Sequence, residues 1–124
     1  MNLDPEDFGE GLCPRSATEF VVLTWRERRI YTVDRQNLTI LQTFELDSQI
    51  IEGWGVTADE SNVNANGYYQ LYISDGTEFI YMVDGETLQV TEKVQVYDPA
   101  TNAVVDRINE LEFVDGFIYA NVWY

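Results

Sequence analysis

At 124 residues the chain is long enough for one domain with a substantial core. Its 22 acidic and 7 basic side chains leave a net charge of −15, a field that repels phosphate backbones and argues against a nucleic-acid partner. With no histidine and a single cysteine, Cys13, the chain cannot form an internal disulfide, a Cys/His metal cluster or a Cys–His dyad, so acid–base chemistry falls to a carboxylate, lysine or tyrosine. The hydrophobic share of 45% is that of a folded chain. No apolar run approaches the length of a membrane span, so no membrane partner is expected, and the acidic start Met1–Asp7 is unlike a signal peptide.

In chain order, Phe20–Trp25 is short, β-branched and aromatic, and reads as a buried strand. Ile30–Val33 is a second strand, Asp34–Asn37 a polar turn, and Leu38 to Leu46 a longer third strand. The order then repeats: strands at Tyr69–Ser74 and Glu78–Val83, a turn at Asp84–Thr87, and a strand at Leu88–Val96. Asp84-Gly85 is a hairpin signal, since both residues tolerate positive φ. Tyr31-Thr32-Val33-Asp34 and Tyr81-Met82-Val83-Asp84 lie about 50 residues apart, the spacing of propeller repeats. Asn62–Gly67 reads as a loop insertion, Asp98–Asn102 as an added turn and Ser74–Thr77 as a tight turn. Helical periodicity surfaces only weakly over Val105–Phe113, where a strand is favoured, and Phe117–Trp123 closes the chain as another strand.

A short phrase recurs ahead of these units: Gly9-Glu10-Gly11-Leu12, Glu52-Gly53-Trp54-Gly55 and Asn109-Glu110-Leu111-Glu112. Polar residues at the head of each β repeat are expected to meet at one place. The fold class is therefore all-β, a β-propeller of about two and a half blades of four-stranded antiparallel sheet, with units at about 8–50, 51–107 and 108–124. Two and a half blades cannot close a ring of at least four, so further blades or self-association are needed to cover the open edges.

Phe8-Gly9-Glu10-Gly11-Leu12, Leu23-Thr24-Trp25, Glu52-Gly53-Trp54-Gly55, Ser74-Asp75-Gly76-Thr77, Asn109–Glu112 and Tyr119–Trp123 stand in the order in which the plant and bacterial glutamine cyclotransferases carry them, and the chain closely resembles that family from Phe8 onward. The resemblance implies a five-bladed propeller that converts the N-terminal glutamine of a peptide, or free glutamine, to pyroglutamate with loss of ammonia. It implies that Glu10 is the acid–base carboxylate. Trp25, Trp54 and Trp123 would be the aromatic walls of a channel, and Asn109 the amide that orients the substrate. No cofactor is implied. A channel lysine of the family has no counterpart here, and plant members travel the secretory route. Four other readings stay open. Glu52 and Glu110 rival Glu10 as the catalytic carboxylate, carboxylates including Glu112 around a channel would suit a cation, and a non-enzymatic propeller fragment would bind a peptide or cation through the same acidic, aromatic face. The fourth is an inactive, truncated cyclotransferase.

Overall fold

The computed structural model describes residues 1–124 and contains ten β-strands and no helix. The first antiparallel sheet holds β1 (Gly9–Pro14), β2 (Glu19–Thr24), β3 (Arg29–Asp34) and β4 (Ile40–Glu45) in that order. The second repeats the order with β5 (Val56–Val63), β6 (Tyr69–Ser74), β7 (Phe79–Asp84) and β8 (Val90–Gln95). A third sheet pairs β9 (Ile108–Val114) with β10 (Phe117–Val122). Sequential up-and-down sheets packed face to face, with β1 against β5 and β5 against β9, make this the β-propeller class.

The reading of the sequence found three strands in each full unit; the fourth is β1 or β5, the innermost. These strands are hard to see because they carry Glu10 in one case and Asp59, Glu60, Ser61 and Asn62 in the other. Many of their residues are exposed, so apolar and polar residues need not alternate along them. Asn62 and Val63 are accordingly part of β5, and only the residues from Asn64 to Gly67 turn, with Gly67 at φ 88°.

Two boundaries also move. Leu38 and Leu88 lie in the turns, at φ 59° each, so β4 and β8 start two residues later than expected. The cause is a turn built on aspartate. Asp34 Oδ1 accepts from the N–H groups of Gln36 and Asn37, and the Leu38 N–H donates to the Asp34 carbonyl. Asp84 repeats this with Glu86, Thr87 and Leu88. At Asp98 the Ala100 N–H donates to Oδ1 and the Asn102 N–H to the carbonyl, with Asn102 at φ 56°. Gly85 has no positive φ, contrary to the hairpin expectation. Its missing side chain instead leaves room for the Tyr69 carbonyl, which a β-carbon would strike.

The main core lies between the first two sheets. Val21, Leu23, Ile30 and Ile50 meet Val56, Leu71, Ile73 and Val83 there, all 0–1% exposed. A smaller cluster of Val22, Tyr31 and Val33 covers the far face of the first sheet, with Leu3 laid over it. Asp7 holds that leading segment down, accepting from Tyr31 Oη and pairing with Arg29 Nη1 at 2.8 Å. Between the second and third sheets, Ile108 and Leu111 are buried and Tyr72 stacks on Phe113 at 5.7 Å.

Candidate active site

The strand register shows that the recurring phrase occupies one structural position. Val22 faces Tyr31 in the first sheet and Ile73 faces Tyr81 in the second, which equates Val22 with Ile73. Leu12 faces Val22, Val56 faces Ile73, and Leu111 faces Ala120. Two residues before Leu12, Val56 and Leu111 stand Glu10, Trp54 and Asn109. Three residues after Val22, Ile73 and Ala120 stand Trp25, Gly76 and Trp123.

The first and third sheets thus offer a polar residue from the inner strand and a tryptophan at the end of its neighbour. In the second sheet the roles are exchanged: the inner strand brings Trp54, and the neighbouring position is Gly76. The exchange is steric. A β-carbon on Gly76 would stand 2.6 Å from Trp54 Cζ2, so only glycine, at φ 82°, lets the indole lie there. Trp25 and Trp123 directly follow the second strand of their sheets, β2 and β10, and not the inner one.

These positions converge. Glu10, Trp25, Trp54, Asn109 and Trp123, drawn from three sheets, line one pocket of about 410 Å³ together with Phe8. All five residues singled out in the sequence are therefore brought together. Phe8 was the missing member of the wall; its ring sits edge-on to Trp25 at 6.1 Å. The signal for it was present, since Phe8 immediately precedes the first phrase.

Backbone approach fixes the geometry. The Gly53 N–H donates to the Trp25 carbonyl at 3.1 Å, and the Trp54 N–H to the Ser74 carbonyl at 3.1 Å. β-Carbons on Gly53 and Gly55 would collide with the carbonyls of Thr24 and Asn109, so these glycines allow the phrase to press against both neighbouring sheets. Ser74 Oγ accepts from the Gly55 N–H at 2.9 Å and donates to the Asn109 carbonyl at 2.5 Å. Asp75, 4% exposed, accepts from the Ile51 N–H and holds Thr77. The Ser74–Thr77 turn is thus a brace beneath the pocket.

Electrostatics favour proton uptake at Glu10. Partial loss of water raises the pKa of its carboxyl above the usual 4.5, and the negative charge of Glu52 adds to the rise. Glu110 is also raised, first by desolvation and then by Glu112 and Glu10, against a lowering hydrogen bond from the Leu111 N–H. Yet Glu110 and Glu52 do not line the pocket. Glu52 instead faces two of its walls: Trp25 Nε1 and Trp54 Nε1 donate to Glu52 Oε2 at 2.7 and 2.8 Å. The carboxylates and Cys13 form no group of three placed to hold a metal ion. Cys13 itself is buried in the core, and burial pushes its thiol far up, helped by Glu110, Glu112 and Glu60. A thiol so held is a poor nucleophile.

Fold and pocket together define a class: a β-propeller whose candidate site lies where inner strands meet, walled by aromatic side chains around one carboxylate and one amide. Comparison with known proteins gives the family. The glutamine cyclotransferase family profile matches residues 1–124. A glutaminyl-peptide cyclotransferase of Arabidopsis thaliana is 32% identical over 121 residues, which cover 98% of this chain and 34% of that protein. The crystal structure of Myxococcus xanthus glutaminyl cyclase aligns with a TM-score of 0.78 at 28% identity, over 97% of this chain and 46% of that one. The chain belongs to the glutamine cyclotransferase family, and it spans about a third of the Arabidopsis relative and just under half of the Myxococcus one.

Proposed function

We propose that this chain carries the acid–base carboxylate and three aromatic walls of a glutaminyl-peptide cyclotransferase, which converts the N-terminal glutamine of a peptide to pyroglutamate and releases ammonia. The observation that supports it most is the convergence of Glu10, Trp25, Trp54, Asn109 and Trp123 on one pocket in a member of this family.

In this reading the substrate's α-amine attacks its own side-chain amide carbon. The new bond joins the amine nitrogen to Cδ, the bond from Cδ to the amide nitrogen breaks, and one proton passes from the first nitrogen to the second so that ammonia departs. Nucleophile and electrophile are tethered, so the aromatic walls act by holding one folded conformer. Glu10 takes the proton from the amine and returns it to the leaving nitrogen, a shuttle worth roughly 10²–10⁴-fold. The raised Glu10 pKa suits both halves of that task, because it makes the carboxylate a stronger base toward the amine while leaving the carboxyl acidic enough to protonate the departing nitrogen. The Asn109 amide supplies N–H donors for the oxygen on which negative charge develops. The acidic chain attracts the substrate's cationic amino terminus.

Release of ammonia from a glutaminyl dipeptide tests this reading. The assay is run on the 124-residue chain and on a chimera in which it replaces the aligned segment of the Myxococcus protein. Turnover by the chimera is expected, and none with an asparaginyl dipeptide, whose ring would be one atom smaller. A correctly folded chimera with no turnover above background contradicts the proposal.

A further inference from the structure

Glu52 was open on sequence as a rival catalytic carboxylate, yet it neither lines the pocket nor points a free oxygen into it. One oxygen, Oε2, accepts from the indoles of two tryptophans that come from different sheets: Trp25 follows β2 of the first, and Trp54 precedes β5 of the second. The other, Oε1, stands 3.8 Å from Arg26 Nε, and the Arg26 guanidinium in turn lies 4.0 Å over the Trp25 ring. The base of Glu52 is fixed independently by the Gly53 N–H to the Trp25 carbonyl on one side and the Ile51 N–H to Asp75 on the other.

We propose that Glu52 is a positioning residue, a clamp whose single carboxylate oxygen sets the angle between the Trp25 and Trp54 walls across the junction of two sheets. An indole N–H is a donor with no acceptor capacity, and left unpaired in an apolar pocket it costs free energy. A carboxylate is the acceptor that satisfies two such donors at once with charge-assisted bonds. The two rings stand on separate hydrogen-bonded sheets, and the backbone bond from the Gly53 N–H to the Trp25 carbonyl joins their main chains without setting the angle of either ring. Trp123, on the third sheet and 59% exposed, lies outside the clamp and serves as an internal control. The negative charge of Glu52 also lies close enough to Glu10 to disfavour its ionisation, so the clamp bears on the proton shuttle as well as on the walls.

The consequence for substrate rests on the cyclotransferase reading, but the clamp can be tested without turnover. The chain contains three tryptophans, so a ¹⁵N-labelled sample shows three indole N–H resonances whose hydrogen exchange can be followed separately. In the wild type, Trp25 and Trp54 should exchange at least about tenfold more slowly than Trp123, the protection that a bond to a charged acceptor confers. Glu52→Ala should bring both to the Trp123 rate while Trp123 itself stays unchanged, and Glu52→Gln, which keeps a neutral acceptor, should restore part of the protection to both. Should Glu52→Ala lose the dispersed amide spectrum of a folded sheet, Glu52→Gln decides alone, with both rates rising together by several-fold. Unaltered protection of Trp25 and Trp54 in these variants, or a response confined to one of them, overturns the clamp. Addition of a glutaminyl dipeptide then reads the other question: its shifts at Trp25 and Trp54 should need at least about fivefold more peptide in Glu52→Ala, the loss of roughly one hydrogen bond. Slow exchange without any peptide response in the wild type counts against the cyclotransferase reading and leaves the clamp standing.

Discussion

The inner strands of the first and third sheets carry the same template in opposite surroundings. Leu12, Val56 and Leu111 occupy one structural position, yet Leu12 is 54% exposed while Val56 and Leu111 are 1% and 0% exposed. The difference lies in the neighbour. Val56 packs back onto the first sheet and Leu111 onto the second, whereas Leu12 has no preceding sheet beside it. At the other end β10 shows the same effect, with Phe117 68% and Tyr119 62% exposed beside a β9 that buries Ile108 and Leu111. In such an array each blade supplies apolar side chains whose stabilising value depends on the blade next door.

That contrast can be measured. Leu111→Ala should lower the unfolding free energy by about 2–5 kcal/mol, as for a buried leucine whose site collapses poorly. Leu12→Ala should cost no more than about 0.5 kcal/mol, as for a surface change. Denaturant melts of both variants compare them directly, and equal losses would break the contrast. Ser74→Ala comes next, at about 1–3 kcal/mol, because it leaves the buried Gly55 N–H and the Asn109 carbonyl without their shared partner. It should loosen the seam between the second and third sheets while sparing that between the first and second, which amide hydrogen exchange in β9 and β2 reports.

The smallest expected effect concerns charge. Glu10 and Glu110 both have pKa values raised above 4.5 in the folded chain, so the folded state holds their protons more tightly than the unfolded one. Stability contributed by these groups therefore falls as pH rises from 4.5 through their folded values and recovers on mild acidification. Glu110→Gln should raise the melting free energy at neutral pH by only a few tenths of a kcal/mol, since the group is exposed and screened by solvent. It should also flatten the pH dependence in that window. A destabilised variant would show that the Glu110 charge is used in the fold.

Much of this was legible in the residues, and the reasons for the gaps are physical. β2, β3, β6 and β7 are β-branched or aromatic because both their faces are covered, and they announce themselves. β1 and β5 carry acidic and exposed polar side chains, so no alternation betrays them. Glu10, Trp54 and Asn109 were readable because a repeated phrase marks one structural position, and Trp25 and Trp123 through the resemblance to the family. The parts played by Glu52, Ser74 and Gly76 were not, because each acts across a boundary between sheets. A carboxylate between two indoles, a hydroxyl between two backbones and a glycine beneath a ring are relations among residues far apart in the chain. Sequence spacing holds no trace of them.

The central claim is that Glu10 carries the proton between two nitrogens of the substrate. Its most direct test is cyclisation of a glutaminyl dipeptide by the Myxococcus chimera with Glu10→Gln, a change that preserves shape and removes the titrating group. Turnover should fall by roughly 10²–10⁴-fold while the dipeptide still shifts the Trp25 and Trp54 indole resonances. A variant that keeps turnover within a factor of about ten of the parent would contradict the assignment, since a proton shuttle is worth at least about a hundredfold.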